Sequence, residues 1–285
     1  MSQEKDQSLL SRVVLFRSGG LGDILLTIPL LWILKQKFKE VFVVTPSKYH
    51  FLLKEYDQEL SIHDLDDIDN SCEVLVENSM VISFWKDKEW IETMRSRGVA
   101  KIISLEARPK LGPLFSVSLF NHLGWSISKE QLNQVWLPIN TQFSGQPLRT
   151  LWIHPGSGSP KKNLSIDRYY EFAQKWLSQS AENRVFFSFG EADSSIYEKF
   201  IHSSLNKKSR VDSVLYENLR VFCDDLRNRA DVFMGNDSGP AHLAAMSGIA
   251  THVWFRSTSP KIWSPLGPKV EATLLANLFI PLSTW

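Results

Sequence analysis

The sequence is poor in cysteine: only Cys72 and Cys223 occur in 285 residues. They lie far apart with no CxxC pair, which excludes a disulfide framework and fits a reducing compartment. An excess of one charge sign is also missing. Thirty-two Lys and Arg against 31 Asp and Glu leave a formal net charge of +1. A dedicated nucleic-acid binder usually carries a strong basic excess, so no nucleic-acid partner is expected. Long apolar runs are missing too. The longest, from Ile24 to Leu34, is broken by Thr27 and Pro29 and falls short of the roughly 20 residues of a membrane span. The start, MSQEKDQSLL, has neither an apolar core nor a small-residue cleavage site, so no secretory signal is expected. A cytoplasmic location follows as an expectation, with any membrane contact peripheral. His50, His63, His122, His154, His202, His242 and His252 are scattered, without HxxxH spacing. No metal site is therefore expected. A Walker phosphate loop and a G-x-S-x-G elbow are both absent.

What is present is the profile of a globular protein long enough for two domains: 43% apolar and 22% charged residues. Short apolar runs alternate with longer helical patterns. Residues 12–16 (RVVLF), 41–44, 80–84 and 100–105 read as buried strands, with helices predicted over 23–38 and 85–97. Continuous apolar strands separated by helices indicate a parallel sheet covered on both faces. Residues 141–149 (TQFSGQPLR) are polar and carry Gly145 and Pro147, which reads as a linker. The pattern then restarts, with strands at 150–153, 185–189, 231–234 and 252–255 and an amphipathic helix over 165–180. The fold class is α/β: two Rossmann-like parallel-sheet domains, 1–145 and 146–285. The tail from Ala272 to Trp285 reads as a short helix of unassigned position.

Three loops have the composition to carry chemistry. The first, Arg17-Ser18-Gly19-Gly20-Leu21-Gly22-Asp23, follows the first strand and opens the first helix. Its glycines permit a sharp turn and a close approach to a ligand. Asp23 falls in the first helical turn, as a functional carboxylate or as an ordinary cap. The spacing is not G-x-G-x-x-G and no acidic residue closes the second strand, so a dinucleotide fingerprint is poorly matched. The second loop, His154-Pro155-Gly156-Ser157-Gly158-Ser159-Pro160-Lys161-Lys162-Asn163, offers a hydroxyl, small residues and two lysines at a strand's carboxyl end. That is where open α/β sheets bind ligands. His154 by itself reads as a structural histidine. The third, Gly235-Asn236-Asp237-Ser238-Gly239-Pro240-Ala241-His242, leads into a helix start favoured by Pro240. Ser238 and the helix N-terminus are suited to an anion.

Together these loops resemble glycosyltransferase family 9, the bacterial ADP-heptose:lipopolysaccharide heptosyltransferases. RSGGLGDILLTIPLL resembles the family's amino-terminal loop and helix, HPGSGSPKKN its central phosphate loop, and GNDSGPAHLAAMSGI its donor motif. WSPLG, from Trp263 to Gly267, resembles its closing segment. The resemblance implies a GT-B fold, with the acceptor on the amino-terminal half and the nucleotide-sugar on the other. It implies inversion at the anomeric carbon and no metal or other cofactor. By this resemblance Asp23 is the general base, with Ser18, Gly19, Gly20 and Gly22 forming the acceptor-side loop. Ser157, Lys161, Lys162, Asp237, Ser238, Gly239, Pro240, Ala241 and His242 hold the donor, and Lys162 is the favoured lysine. Glu191 or Asp193 is expected to bond the ribose hydroxyls. The acceptor would be a lipid-anchored saccharide at the inner membrane face, with Arg95, Arg97, Lys101, Arg108 and Lys110 as a basic surface facing it.

The chain departs from the family in two places. Leu164 and Ser165 stand where Trp-Pro is frequent, and Arg256-Ser257-Thr258-Ser259-Pro260 stands for Gly-Pro-Thr-Asp-Pro. These leave the donor's base and sugar open. One alternative is a transferase for a different nucleotide-sugar in O-antigen or another surface glycan. Another is an inactive relative that binds a nucleotide or a partner.

Overall fold

The computed structural model describes residues 11–67, 75–138 and 149–275. The chain divides into two compact units, Met1–Leu132 and Asn133–Trp285.

The first unit is built on a five-stranded sheet of order β3-β2-β1-β4-β5. Its strands are β1 (Arg12–Phe16), β2 (Glu40–Thr45), β3 (Ser61–Asp64), β4 (Met80–Ser83) and β5 (Lys101–Ser104), and every pairing is parallel. Val13, Val14, Leu15 and Phe16 are all buried. Both faces of β1 are therefore covered, which is why it reads as an unbroken apolar run. Among the described residues the helices of this unit are α1 (Leu21–Leu25), α2 (Ile28–Lys37), α3 (His50–Tyr56), α4 (Lys88–Ser96), α5 (Phe115–His122) and α6 (Lys129–Leu132). The single helix predicted over 23–38 is two helices. Pro29 has no N–H to give the preceding turn. Thr27 bonds back through its hydroxyl to the Ile24 carbonyl at 2.6 Å and stands at the N-cap position of a new start, with Pro29 in the first turn of α2. Strand β3 was not predicted.

The second unit carries a six-stranded, all-parallel sheet of order β11-β10-β9-β6-β7-β8. Its strands are β6 (Thr150–His154), β7 (Arg184–Gly190), β8 (Val211–Tyr216), β9 (Val232–Asn236), β10 (Ala250–Phe255) and β11 (Val270–Leu274). The helices are α7 (Ile166–Gln179), α8 (Ser194–Ile201), α9 (Leu219–Arg229), α10 (Gly239–Met246) and α11 (Pro260–Trp263). Tyr169, Phe172 and Leu177 of α7 and Phe200 of α8 pack on Ile153, Phe187 and Phe189. The opposite face of β6 and β7 presents Trp152 and Phe186, stacked at 4.2 Å, to Phe222 of α9. Helix α10 is buried from Ala241 to Met246. Each such side chain contributes about 1–3 kcal/mol through burial.

Strand β11 replaces the start of the helix predicted from Ala272; the rest of that tail lies outside the described residues. The linker expected at 141–149 also lies almost wholly outside them. The division between units falls earlier, because the N–H groups of Trp136 and Leu137 both donate to the Met246 carbonyl at the end of α10 (2.9 and 3.0 Å).

In both sheets the chain starts at a central strand and later crosses back. This puts the reversal of strand order between β1 and β4 in one unit and between β6 and β9 in the other. In open parallel sheets ligands bind outside the carboxyl ends of the strands at that reversal. The first and third loops follow β1 and β9, and the second follows β6.

Candidate functional site

In the first unit the site grows from the end of β1. Gly19 has φ +119°, and a Cβ there would come within 2.5 Å of Asp23 Oδ2, so only glycine fits this turn. The Tyr49 hydroxyl holds the turn by donating to the Gly19 carbonyl at 3.2 Å. Asp23 then falls in the first turn of α1. Its backbone N–H donates to the Gly20 carbonyl (3.0 Å), and its Oδ2 accepts from Gly20 N–H at 2.8 Å. The capping role considered for Asp23 is thus real, and it uses only part of the carboxylate.

Two arginines take the rest. Arg17, 3% exposed, donates through Nη2 to Asp23 Oδ1 at 2.9 Å and through Nε to the Asp23 carbonyl at 3.1 Å. Its guanidinium lies 3.9 Å from the centre of the Phe84 ring, an arrangement that favours a desolvated cation. Burial still pulls the Arg17 pKa down to about 10, against the raising effect of Asp23. Arg108, from the loop after β5, closes on the carboxylate bidentately, Nη1 to Oδ1 and Nη2 to Oδ2 at 2.9 Å. Burial alone would raise the Asp23 pKa. The Arg108 hydrogen bonds, the Arg17 charge and the Gly20 N–H outweigh it and hold the carboxyl below its ordinary value.

Beside this loop a cavity of about 500 Å³ opens at the ends of β1 and β4, lined by Phe16, Leu65, Trp85 and Trp90 among others. The basic residues read as one membrane-facing surface do different things. Arg108 turns to Asp23, and Arg95 lies in the last turn of α4.

In the second unit the loops after β6 and β9 come together. Asp237 is 4% exposed. Its Oδ2 accepts from Lys162 Nζ at 2.7 Å and from the Thr258 hydroxyl at 2.6 Å, and its Oδ1 lies 3.9 Å from His242 Nε2. Of the two loop lysines, Lys162 joins this cluster and Lys161 is exposed. Ser238 stands at the N-cap position of α10 and is followed by Gly239 and Pro240, with Ala241 and His242 completing the turn. Its buried hydroxyl has no hydrogen-bond partner among the described residues.

Ser157 is engaged inside its own loop, with its hydroxyl 2.6 Å from Asn163 Oδ1 and 2.8 Å from the Ser159 carbonyl. A cavity of about 320 Å³ lies between that loop and α8, with Asn163 and Lys199 in its wall. Of the two acids considered for the ribose, Asp193 is buried. Its carboxylate accepts from Gly190 N–H at 2.9 Å and sits 3.4 Å from His154 Nε2. It is a cap and a partner for His154, and Glu191 is left as the exposed carboxylate. His154, fully enclosed and 3.0 Å from the Ser188 hydroxyl, has its pKa lowered by burial, against the pull of Asp193.

Three residues here escaped the sequence reading. Asn236, buried at the end of β9, accepts from Leu164 N–H and from the Tyr169 hydroxyl (both 2.9 Å) and donates to the Pro155 carbonyl at 2.7 Å. It fastens the second loop to the third. Thr258 and Arg17 hold the two aspartates. Arg17 and Asn236 stand inside two of the quoted motifs without being singled out there, and Thr258 lies in a segment quoted for its departures.

Among the described residues no group of three His, Cys, Asp or Glu is arranged to hold a metal, and no helix is long and apolar enough to cross a membrane.

The profile described as Glycosyltransferase family 9 (heptosyltransferase) matches residues 128–279. No curated protein matches the chain. Solved structures do. The glycosyl transferase family 9 protein from Veillonella parvula is 14% identical, with 95% of this chain and 88% of that one covered at a TM-score of 0.69. The Escherichia coli ADP-heptose LPS heptosyltransferase II is 16% identical, covering 93% and 90% at 0.67. The E. coli heptosyltransferase WaaC with ADP is 11% identical, covering 92% and 93% at 0.66. The two parallel-sheet α/β domains are those of the GT-B fold.

Proposed function

Since the chain belongs to glycosyltransferase family 9 and is a glycosyltransferase, we propose that it moves heptose from ADP-heptose onto a lipopolysaccharide core acceptor, with inversion and without a metal. The observation that carries this reading is the meeting of Lys162, Asp237 and the head of α10 at the strand-order reversal of the second sheet. A nucleoside diphosphate leaves with growing negative charge. The Lys162 ammonium, a helix N-terminus and the Ser238 hydroxyl, without a hydrogen-bond partner among the described residues, supply what that charge needs. Asp237 would exchange its bond to Lys162 for hydroxyls of the donor sugar, and Glu191 would take the ribose.

In the first unit, Asp23 is the base in this reading. It would accept the proton of the acceptor hydroxyl as the oxygen attacks the anomeric carbon. The acceptor would be a lipid-linked saccharide, met by peripheral contact with the inner membrane face.

Calorimetry of ADP, UDP, GDP, TDP and NAD on the metal-free protein tests the donor. Preference for ADP is expected. Preference for another nucleoside diphosphate would move the function to a different surface-glycan transferase, a reading favoured by Arg256, Ser257 and Ser259, which stand where the family has Gly, Pro and Asp. Binding of none would leave an inactive relative.

A further inference from the structure

A strand sends successive side chains to opposite faces of its sheet. At the carboxyl edge of the first sheet this sorts the residues at the ends of β1 and β4 into two sets. Arg17 lies over Phe84 on one face and bonds to Asp23. Phe16 meets Trp85 and Trp90 on the other, at 5.9 and 5.4 Å between ring centres, and the two indoles are 5.3 Å apart. Phe16 is buried and both indoles are half-buried, so their outer surfaces line the cavity of about 500 Å³. That volume is within the range of small-molecule sites, about 300–1,000 Å³.

The flank of α4 supplies the rest of the wall. Trp90 and Met94, four residues apart, pack toward the core. Glu89, Thr93 and Arg97, again four apart, form a polar line beside them along the cavity. Asp87 stands at the head of that line and caps α4, its Oδ1 accepting from the Trp90 N–H at 2.9 Å. A ligand that fits has one apolar face for the indoles and hydrogen-bonding groups around its edge for the polar line. A pyranose ring has both. Its C–H groups carry slight positive charge and suit the negative face of an indole, and its hydroxyls surround them. An alkyl chain would leave the polar line unmatched. A nucleotide or an acidic sugar would meet the carboxylates of Asp87 and Glu89 against the single guanidinium of Arg97.

We propose that this cavity is a saccharide subsite in which Trp85 and Trp90 stack a pyranose ring without an acid group, a ring of the acceptor other than the one that reacts. Its place in the acceptor rests on the reading of the chain as a transferase to a saccharide; the stacking does not. The reacting ring belongs with Asp23 on the opposite face, so the two rings are neighbours in a glycan that crosses the sheet edge at β1. Acceptors are then selected by a ring at which no bond is made or broken.

The test uses the full-length protein carrying 5-fluorotryptophan, with the fluorine signals of Trp85 and Trp90 assigned by their loss in Trp85→Phe and Trp90→Phe. Methyl β-glucopyranoside, glucuronic acid and n-octanol are titrated in, each with and without saturating ADP. Both signals are expected to move with the glucoside, whether ADP is present or not, and to stay in place with glucuronic acid and octanol. Glu89→Gln, at an exposed position, should weaken the glucoside about three- to tenfold as a charged acceptor becomes a neutral one. With ADP-heptose as donor and a heptose-free lipopolysaccharide core as acceptor, Trp85→Ala should raise the acceptor KM about tenfold, move kcat by less than about twofold and leave the donor KM in place. Trp85→Phe should recover most of that loss. Signals that ignore the glucoside, or that move as far with glucuronic acid or octanol, would overturn the subsite. So would an acceptor KM unchanged in both Trp85→Ala and Glu89→Gln. No transfer by the wild type would sink the transferase reading instead, and the fluorine shifts would still decide the stacking.

Discussion

Asp237 is buried and Asp23 partly buried, each beyond the carboxyl end of a strand, and their neighbours push them toward different work. Two arginines and a backbone N–H keep Asp23 ionised. Because its folded pKa lies below the ordinary value, Asp23 stays charged at every pH above about 4. Its pairing stabilises the fold above the unfolded pKa and is lost only as pH falls through the lower folded one. Protonation of the base should therefore cost the enzyme nothing between about pH 8 and about pH 5, and kcat/KM, which reports the free enzyme, should show no acid limb there. A limb near pH 6 would mean that some other group is the base. Asp23→Asn keeps the shape of the turn and removes proton acceptance. It should lower kcat by about 10²–10⁴-fold and leave ADP binding intact; normal transfer would exclude Asp23. Lys162→Ala removes a charge-assisted partner worth about 1.5–3 kcal/mol, so ADP should bind roughly 10–100-fold more weakly. Unchanged affinity, read by calorimetry, would move the role to Lys161. The sequence identified both aspartates through the glycines and small residues around them. It did not reveal the partners, because Arg17, Arg108 and Thr258 reach their targets only after the sheet brings separate strand ends together.

The strands that escaped the sequence reading share a position. β3, β8 and β11 are all sheet edges. A central strand such as β1 is covered on both faces and shows as a continuous apolar run. Ser61–Asp64 and Val211–Tyr216 mix polar and apolar residues because an edge is partly wet, and Val270–Leu274 is at best half-buried throughout. The split between α1 and α2 was legible in Pro29 and went unread. Helix α10, the element that presents Ser238, is seated by a close approach that no pattern of apolar spacing shows. Gly267 has φ +148°, and a Cβ there would lie 2.1 Å from the Ala245 carbonyl oxygen in the last turn of α10. Gly267→Ala must strain its own backbone and displace that carbonyl. It should cost about 2–4 kcal/mol of stability and weaken ADP binding as α10 shifts. A thermal melt like that of the wild type would show that the helix has slack.

At the scale of the molecule, two sheets with separate cores were legible from the restart of the strand–helix pattern at residue 150. The edge of the second unit was not, because Trp136 and Leu137 precede the predicted linker and yet are bonded to the last helical turn of α10 within the second unit. That division places Lys162 and the buried Asp237 carboxylate in the second unit and Asp23, paired with two arginines, in the first. Each unit then has its own charge to satisfy. In the proposed reaction the diphosphate brings negative charge to Lys162 and the head of α10, and the acceptor proton goes to Asp23. A divalent ion would have to share the donor site with Lys162, competing for the same diphosphate oxygens, and its nearest carboxylate, Asp237, already accepts from Lys162 and Thr258. Transfer should therefore proceed at an unchanged rate in excess EDTA, measured as ADP released with ADP-heptose as donor. Loss of turnover in EDTA with recovery on added magnesium would mean that a cation, rather than Lys162 and α10, meets the leaving charge. Asp237 would then have to be released from Lys162 to hold it.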